Sequence, residues 1–141
     1  MTKINIINLN KKFKLPRSKI LKLVKNLISE EKLTLSTLNI IFVDDATIRE
    51  INKRFLNHDY PTDVISFDLS DDMEDEKISE IYIGLDRAFE QAKIYKVTFE
   101  NEVARLVAHG ILHLAGYDDS TKSEKLRMRR KESYYIKKAG F

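Results

Sequence analysis

His109-Gly110-Ile111-Leu112-His113-Leu114-Ala115-Gly116-Tyr117-Asp118-Asp119 is the stretch around which the rest of the chain is organised. It closes a segment in which Val103, Leu106, Val107, Gly110, Ile111 and Leu114 recur at helical spacing, while Ala104, Ala108 and Leu112 make the opposite side apolar. A helix apolar on most sides is a central one. Residues four apart on it stand about 40° apart around the axis, so the imidazoles of His109 and His113 can reach one point. Gly116 is a natural stop, because glycine takes the left-handed C′ conformation without a Cβ penalty. The turn it permits can return the carboxylate of Asp118 or Asp119 to the same point. Zinc takes about four N, S or O ligands near 2 Å, and three protein ligands leave one position open, as in catalytic sites.

The spacing matches the pattern H-E-x-x-H-x-x-G-x-x-H of metzincin peptidases at His109, His113, Gly116 and, in the last position, Asp119. It departs from that pattern after the first histidine, where the general-base glutamate of a peptidase is replaced by Gly110. Two satisfied core histidines would be the simpler account of an H-x-x-x-H pair alone. The glycine stop and the carboxylate at the third position favour a metal. The template selects Asp119 as third ligand, with Asp118 as the alternative. Gly110 in mid-helix costs about 1 kcal/mol against alanine, which predicts close approach of another backbone or of substrate.

The chain of 141 residues is long enough for one domain, 1–141, with its own core. With 43% hydrophobic and 33% charged residues, it has the composition of an ordinary globular protein. The absence of cysteine excludes thiol nucleophiles and Cys-based zinc sites. No stretch has the length of a membrane span and no signal-peptide pattern follows Met1, so a cytoplasmic protein is expected. The net charge is only +3, but it is uneven. Lys3 to Lys25 holds basic residues and no acid, a second basic cluster from Lys122 to Lys138 faces only Glu124 and Glu132, and acids collect between Asp68 and Glu76. Basic ends of this kind can engage phosphate backbones, although solvated helix faces account for charge runs equally well.

Strands are expected at Lys3–Asn8, Leu38–Val43, Val64–Leu69 and Ile78–Leu85. The first helix has Pro16 in its opening turn and carries Ile20, Leu21, Leu23, Val24, Leu27 and Ile28 as its apolar stripe. Asp44 or Asp45 caps a second helix carrying Ile48, Ile51 and Phe55, and Asp86 caps a third. Thr98 starts the histidine helix, with Glu100 and Glu102 near its positive end. A last helix runs from Thr121 through Leu126, Met128 or Arg129, and Ile136; its Tyr134 and Tyr135 either pack, the simpler reading, or stack on bases beside the arginines. His58 reads as an exposed loop residue, and Asp71–Glu76 as a solvated turn. The order β-α-β-α-β-β-α-α-α predicts a small mixed sheet covered by helices, with strand order undetermined.

The block His109-Gly-x-Leu-His113-Leu-x-Gly-Tyr-Asp-Asp119, together with Asp59-x-Pro-Thr-Asp-Val-Ile-Ser-Phe67 and Glu80-Ile-Tyr-Ile-Gly-Leu-Asp86, resembles the YbeY family of bacterial rRNA-maturation endoribonucleases. The resemblance implies an α+β fold, with a mixed four-stranded sheet packed by helices and a zinc site on a central helix, as in zincins. It implies one Zn2+ held by His109, His113 and Asp119, where most members have a third histidine. A carboxylate at that position is an acceptable zinc ligand. It also implies a single-strand RNA endonuclease acting on small-subunit rRNA 3′ ends and in ribosome quality control. The partners would then be rRNA and the small ribosomal subunit, with no membrane and no DNA. A second departure is Leu56, where the family usually carries an arginine thought to contact phosphate; Arg54 is the nearest substitute. The catalytic nucleophile is either a zinc-bound water or the substrate 2′-OH, and no protein general base is identified. Two alternatives stand beside this reading. One is a metal-binding, ribosome-associated RNA-binding module without strong catalysis, suggested by Leu56. The other is a metzincin-like metallopeptidase, which Gly110 opposes.

Overall fold

The structure, a computed structural model, describes residues 1–56, 62–69 and 76–141. Among the described residues, four strands form one sheet: β1 (Lys3–Asn8), β2 (Thr37–Val43), β3 (Val64–Asp68) and β4 (Ile78–Gly84). Their spatial order is β1-β2-β4-β3, with β1, β2 and β4 parallel and β3 antiparallel to β4. The helices among the described residues are α1 (Arg17–Glu30), α2 (Asp45–Leu56), α3 (Leu85–Tyr95), α4 (Phe99–Leu114) and α5 (Lys122–Lys138). The expected α+β class and mixed four-stranded sheet are therefore observed. His58 and residues 71–75 of the acidic run lie outside the described residues.

Alternation along the strands divides the core between the two faces of the sheet. Leu38, Ile40, Phe42, Ile81 and Ile83 face α1 and α4, where they meet Ile20, Leu23, Leu27, Val107 and Ile111. Ile41, Val43 and Ile65 face the other way and pack with Ile48 of α2. Ile81 and Ile83 are fully buried, and each such side chain stabilises the fold by roughly 1.5–3 kcal/mol relative to exposure. The central helix of the sequence reading is α4, which touches β3, β4, α1, α3 and α5. It buries Val103, Ala104, Leu106, Val107, Ala108, Gly110, Ile111 and Leu112.

Most element ends follow their capping chemistry. Thr98 accepts from the Asn101 amide at 3.0 Å, and Thr121 and Glu124 form a reciprocal capping box at the start of α5. Asp44 rather than Asp45 caps α2, accepting from the Thr47 amide at 2.8 Å. Asp86 does not cap its own helix. Gly84 is the N-cap of α3, and the Asp86 carboxylate instead accepts from the Asp45 amide at 2.9 Å and from Lys12 Nζ at 2.8 Å. The strand β4 delivers Asp86 to the neighbouring helix start, where the orphan amide of α2 needs an acceptor. Pro16 precedes α1 as its N-cap rather than lying in its first turn.

Gly110 is where α4 meets the sheet. A Cβ there would lie 2.8 Å from Ile81 Cγ2 and 3.2 Å from Ser66 Oγ, and that hydroxyl donates to the Gly110 carbonyl at 3.1 Å. The close approach expected of this glycine is real, but side chains of β3 and β4 make it, not a backbone. Along α5, Leu126 is 52% exposed and Met128 is buried, so the stripe runs Met128, Glu132, Tyr135, Ile136. Among the described residues, no helix is long and apolar enough to cross a membrane.

Candidate metal centre

The last two turns of α4 carry the histidines, His113 in the final one, and the helix's termination places the third residue. Gly116 has φ +98°, its amide donates to the His113 carbonyl at 3.0 Å, and the Tyr117 amide donates to the Leu112 carbonyl at 3.0 Å. This paired bonding is a Schellman stop, which reverses the chain within one turn. The reversed loop is anchored through Tyr117, whose hydroxyl donates to Glu31 at 2.8 Å while Arg127 and Lys131 lie about 5 Å from its ring centre. Glu31 also accepts from Lys131 Nζ at 3.0 Å and from the Tyr135 hydroxyl. Its carboxyl stays below its ordinary range because these three donors outweigh the opposing effect of burial. The end of α1 thus fixes the loop to α5.

His109, His113 and Asp119 converge, with one potential ligand atom from each lying within 4.8 Å of the others. His109 Nε2 is 3.0 Å from His113 Nε2 and 3.3 Å from Asp119 Oδ2, and His113 Nε2 is 3.6 Å from Asp119 Oδ1. Ligand atoms set tetrahedrally at zinc's bonding distance would be about 3.3 Å apart. The donor set fits a small borderline-soft divalent ion in both chemistry and spacing. Asp118, the alternative third ligand, is exposed and is not in this group.

Glu132 of α5 completes the arrangement. Its Oε2 lies 2.7 Å from His109 Nδ1, while its Oε1 accepts from Arg105 at 3.1 Å. Occupying Nδ1 with a carboxylate directs the lone pair of Nε2 towards His113 and Asp119. Burial would lower the pKa of His109, but the bond and charge of Glu132 and the charges of Asp119 and Asp63 raise it overall. Glu102, one turn before Arg105 on α4, is buried; burial first, then Asp63 and Glu132, push its carboxyl up to about 7. Sequence reading placed Glu132 among the charges of a basic segment. The signal that could have found it is its place in the buried stripe of α5, where an acid needs a partner.

The remaining expected contributors lie apart from this group. Leu56 ends α2 at 45% exposure, and Arg54 is spread on the exposed helix face, 3.7 Å from Glu50. Tyr134 is exposed and bonds Glu30, while Tyr135 is buried against Glu31. The basic residues between Lys3 and Lys25 are all exposed, as are Lys122, Lys125, Arg127, Arg129 and Arg130.

Residues 5–140 match the family described as Endoribonuclease YbeY. A relative of that name from Flavobacterium psychrophilum is 44% identical over 114 residues, covering 81% of this chain and 80% of the relative. One from Chloroherpeton thalassium is 37% identical over 131 residues, covering 93% and 92%. A solution structure from Thermotoga maritima superposes with a TM-score of 0.68 at 31% identity, covering 96% of this chain and 88% of that one. Family match, identity and coverage agree: the chain belongs to the YbeY endoribonuclease family.

Proposed function

We propose that this chain, acting as one domain over residues 1–141, is a zinc-dependent endoribonuclease that cuts single-stranded RNA. Its substrate is the 3′ end of small-subunit rRNA, processed in the cytoplasm during ribosome maturation and quality control. The observation that carries the reading is the convergence of His109, His113 and Asp119 at ligand spacing in a chain of this family. The imidazole nitrogens and the carboxylate oxygen would hold one Zn2+ and leave a position open, where the ion supplies Lewis acidity to a phosphoryl oxygen.

The chain's own residues do the positioning. Glu132 lies against Nδ1 of His109, which leaves Nε2 directed inwards as the nitrogen that would hold the ion. Arg105 neutralises Glu132 and keeps that carboxylate in place. The Schellman turn and the Glu31 anchor set the distance from Asp119 to both histidines. Exposed lysines and arginines of α1 and α5 supply the cationic surface that tracks a phosphate backbone, so affinity should fall steeply with salt.

The test compares wild type with His113→Ala, purified identically, on single-stranded RNA, duplex RNA and an unstructured protein. Cutting of single-stranded RNA by wild type alone is expected. Equal cutting by both proteins would point to a contaminating ribonuclease, and hydrolysis of the protein substrate alone would overturn the reading in favour of a peptidase.

A further inference from the structure

Beside the metal centre lies a groove of about 520 Å³, for which His113 forms part of the wall. It is bounded by the loop that follows α1, by the start of β4 and by the end of β3. Thr34 and Ser66 contribute hydroxyls, Ser79 is almost wholly buried, and Leu33, Leu35 and Leu114 contribute aliphatic surface. Among the described residues, its lining carries one cation, Lys77, and one acid, Asp68. A larger cavity of about 690 Å³, between the end of α1 and β1, contains none of the three converging residues.

We infer that this groove receives the ribonucleoside on one side of the scissile phosphate, with its base against the leucines and its sugar near the hydroxyls. The inference rests on the nuclease reading above and names how that site takes its substrate. The size is that of a small-ligand pocket. The balanced charge suits an uncharged nucleoside better than a phosphate, which would favour a lining rich in cations. Hydroxyls can both donate and accept, so they match a ribose 2′-OH, the group that separates RNA from DNA. Ser66 already donates to the Gly110 carbonyl, and its hydroxyl oxygen keeps the capacity to accept. The groove is continuous with His113, so a nucleoside seated there brings its phosphate to the three converging residues without a further turn of the strand.

The test uses an RNA oligonucleotide cleaved at one mapped bond, and two versions with an abasic ribonucleotide on either side of that bond. Zinc-loaded wild type and Thr34→Trp are compared. Thr34 is exposed, lines the groove as well as the larger cavity, and is not one of the converging residues, so an indole there adds bulk at the groove wall without replacing a potential ligand. Zinc content and melting temperature are measured on both proteins.

Removing the base on one side only should lower kcat/KM of the wild type about tenfold, the scale of a base-packing contact. Thr34→Trp should lose a similar factor on intact RNA and be indifferent to the same base. Equal slowing of all three RNAs by Thr34→Trp, or no slowing, would overturn the groove while leaving the nuclease reading intact. A wild type that cuts none of the three would overturn both.

Independent of any variant, 4-thiouridine at the sensitive position should crosslink to peptides containing Leu33–Leu35 or Lys77–Ser79. Crosslinks confined to α5 would contradict the assignment.

Discussion

Glu132 Oε2 lies 2.7 Å from His109 Nδ1 across the interface of α4 and α5, and this contact decides which ring nitrogen faces Asp119. A carboxylate behind a ligating imidazole fixes both its tautomer and its orientation. Glu132→Ala should therefore weaken zinc binding about 10–100-fold. Glu132→Gln, which keeps an acceptor but not the charge, should fall between. Competition with a fluorescent chelator measures this, and an unchanged affinity in Glu132→Ala would mean that the contact orients nothing.

Asp119 tests the third position of the centre. Asp119→Ala should bind zinc about tenfold more weakly or worse, because ligand number sets the stability of the site. Asp119→His supplies an imidazole, also an ordinary zinc ligand, and should keep the ion. Metal content after dialysis against a weak chelator separates the two variants. Retention of zinc by Asp119→Ala at the wild-type level would remove Asp119 from the ligand set.

Gly110 sets how closely α4 can approach the sheet. Alanine would gain about 1 kcal/mol of helix propensity, but its Cβ meets Ile81 Cγ2 at 2.8 Å. Ile81 is fully buried and β-branched, so it cannot move aside without disturbing β4. Overpacking of this kind costs about 1–3 kcal/mol. Thermal unfolding should show Gly110→Ala to be less stable than wild type. A higher melting temperature would show that α4 can lift off the sheet at no cost.

Glu102 should make stability depend on pH. Burial, with Asp63 and Glu132 nearby, raises its carboxyl from an ordinary 4.5 to about 7 in the folded protein. The folded state then binds the proton more tightly than the unfolded state. The contribution is complete below about pH 4.5 and is lost as pH rises through about 7. Glu102→Gln should remove this loss, gaining on the order of 2 kcal/mol on wild type between pH 5 and pH 8 in urea denaturation. Parallel pH profiles for the two proteins would contradict it.

The parts of the fold that were legible in the sequence are those set by local rules. Thr98, Thr121 and Asp44 cap helices because their side-chain oxygens meet orphan amides within the same turn. His109, His113 and Gly116 were legible because helical spacing and the glycine stop are short-range geometry. Asp86 was misread because its partner, the Asp45 amide, lies on another element that only the parallel pairing of β2 and β4 brings near. Glu132 was missed for a similar reason: in a segment dense with Arg and Lys, its partners are Arg105 and His109 of another helix. Strand order rests on which faces bury together, which no single segment carries.

The most direct measurement is a zinc titration of metal-depleted protein, with occupancy and single-stranded RNA cleavage recorded in the same samples. Wild type, His109→Ala, His113→Ala and Asp119→Ala would be treated alike. Cleavage should rise in proportion to bound zinc in the wild type, saturating at one ion per chain, and should be absent from both histidine variants. Cleavage by metal-depleted wild type, or by a histidine variant at the wild-type rate, would contradict the assignment of this centre to RNA cutting.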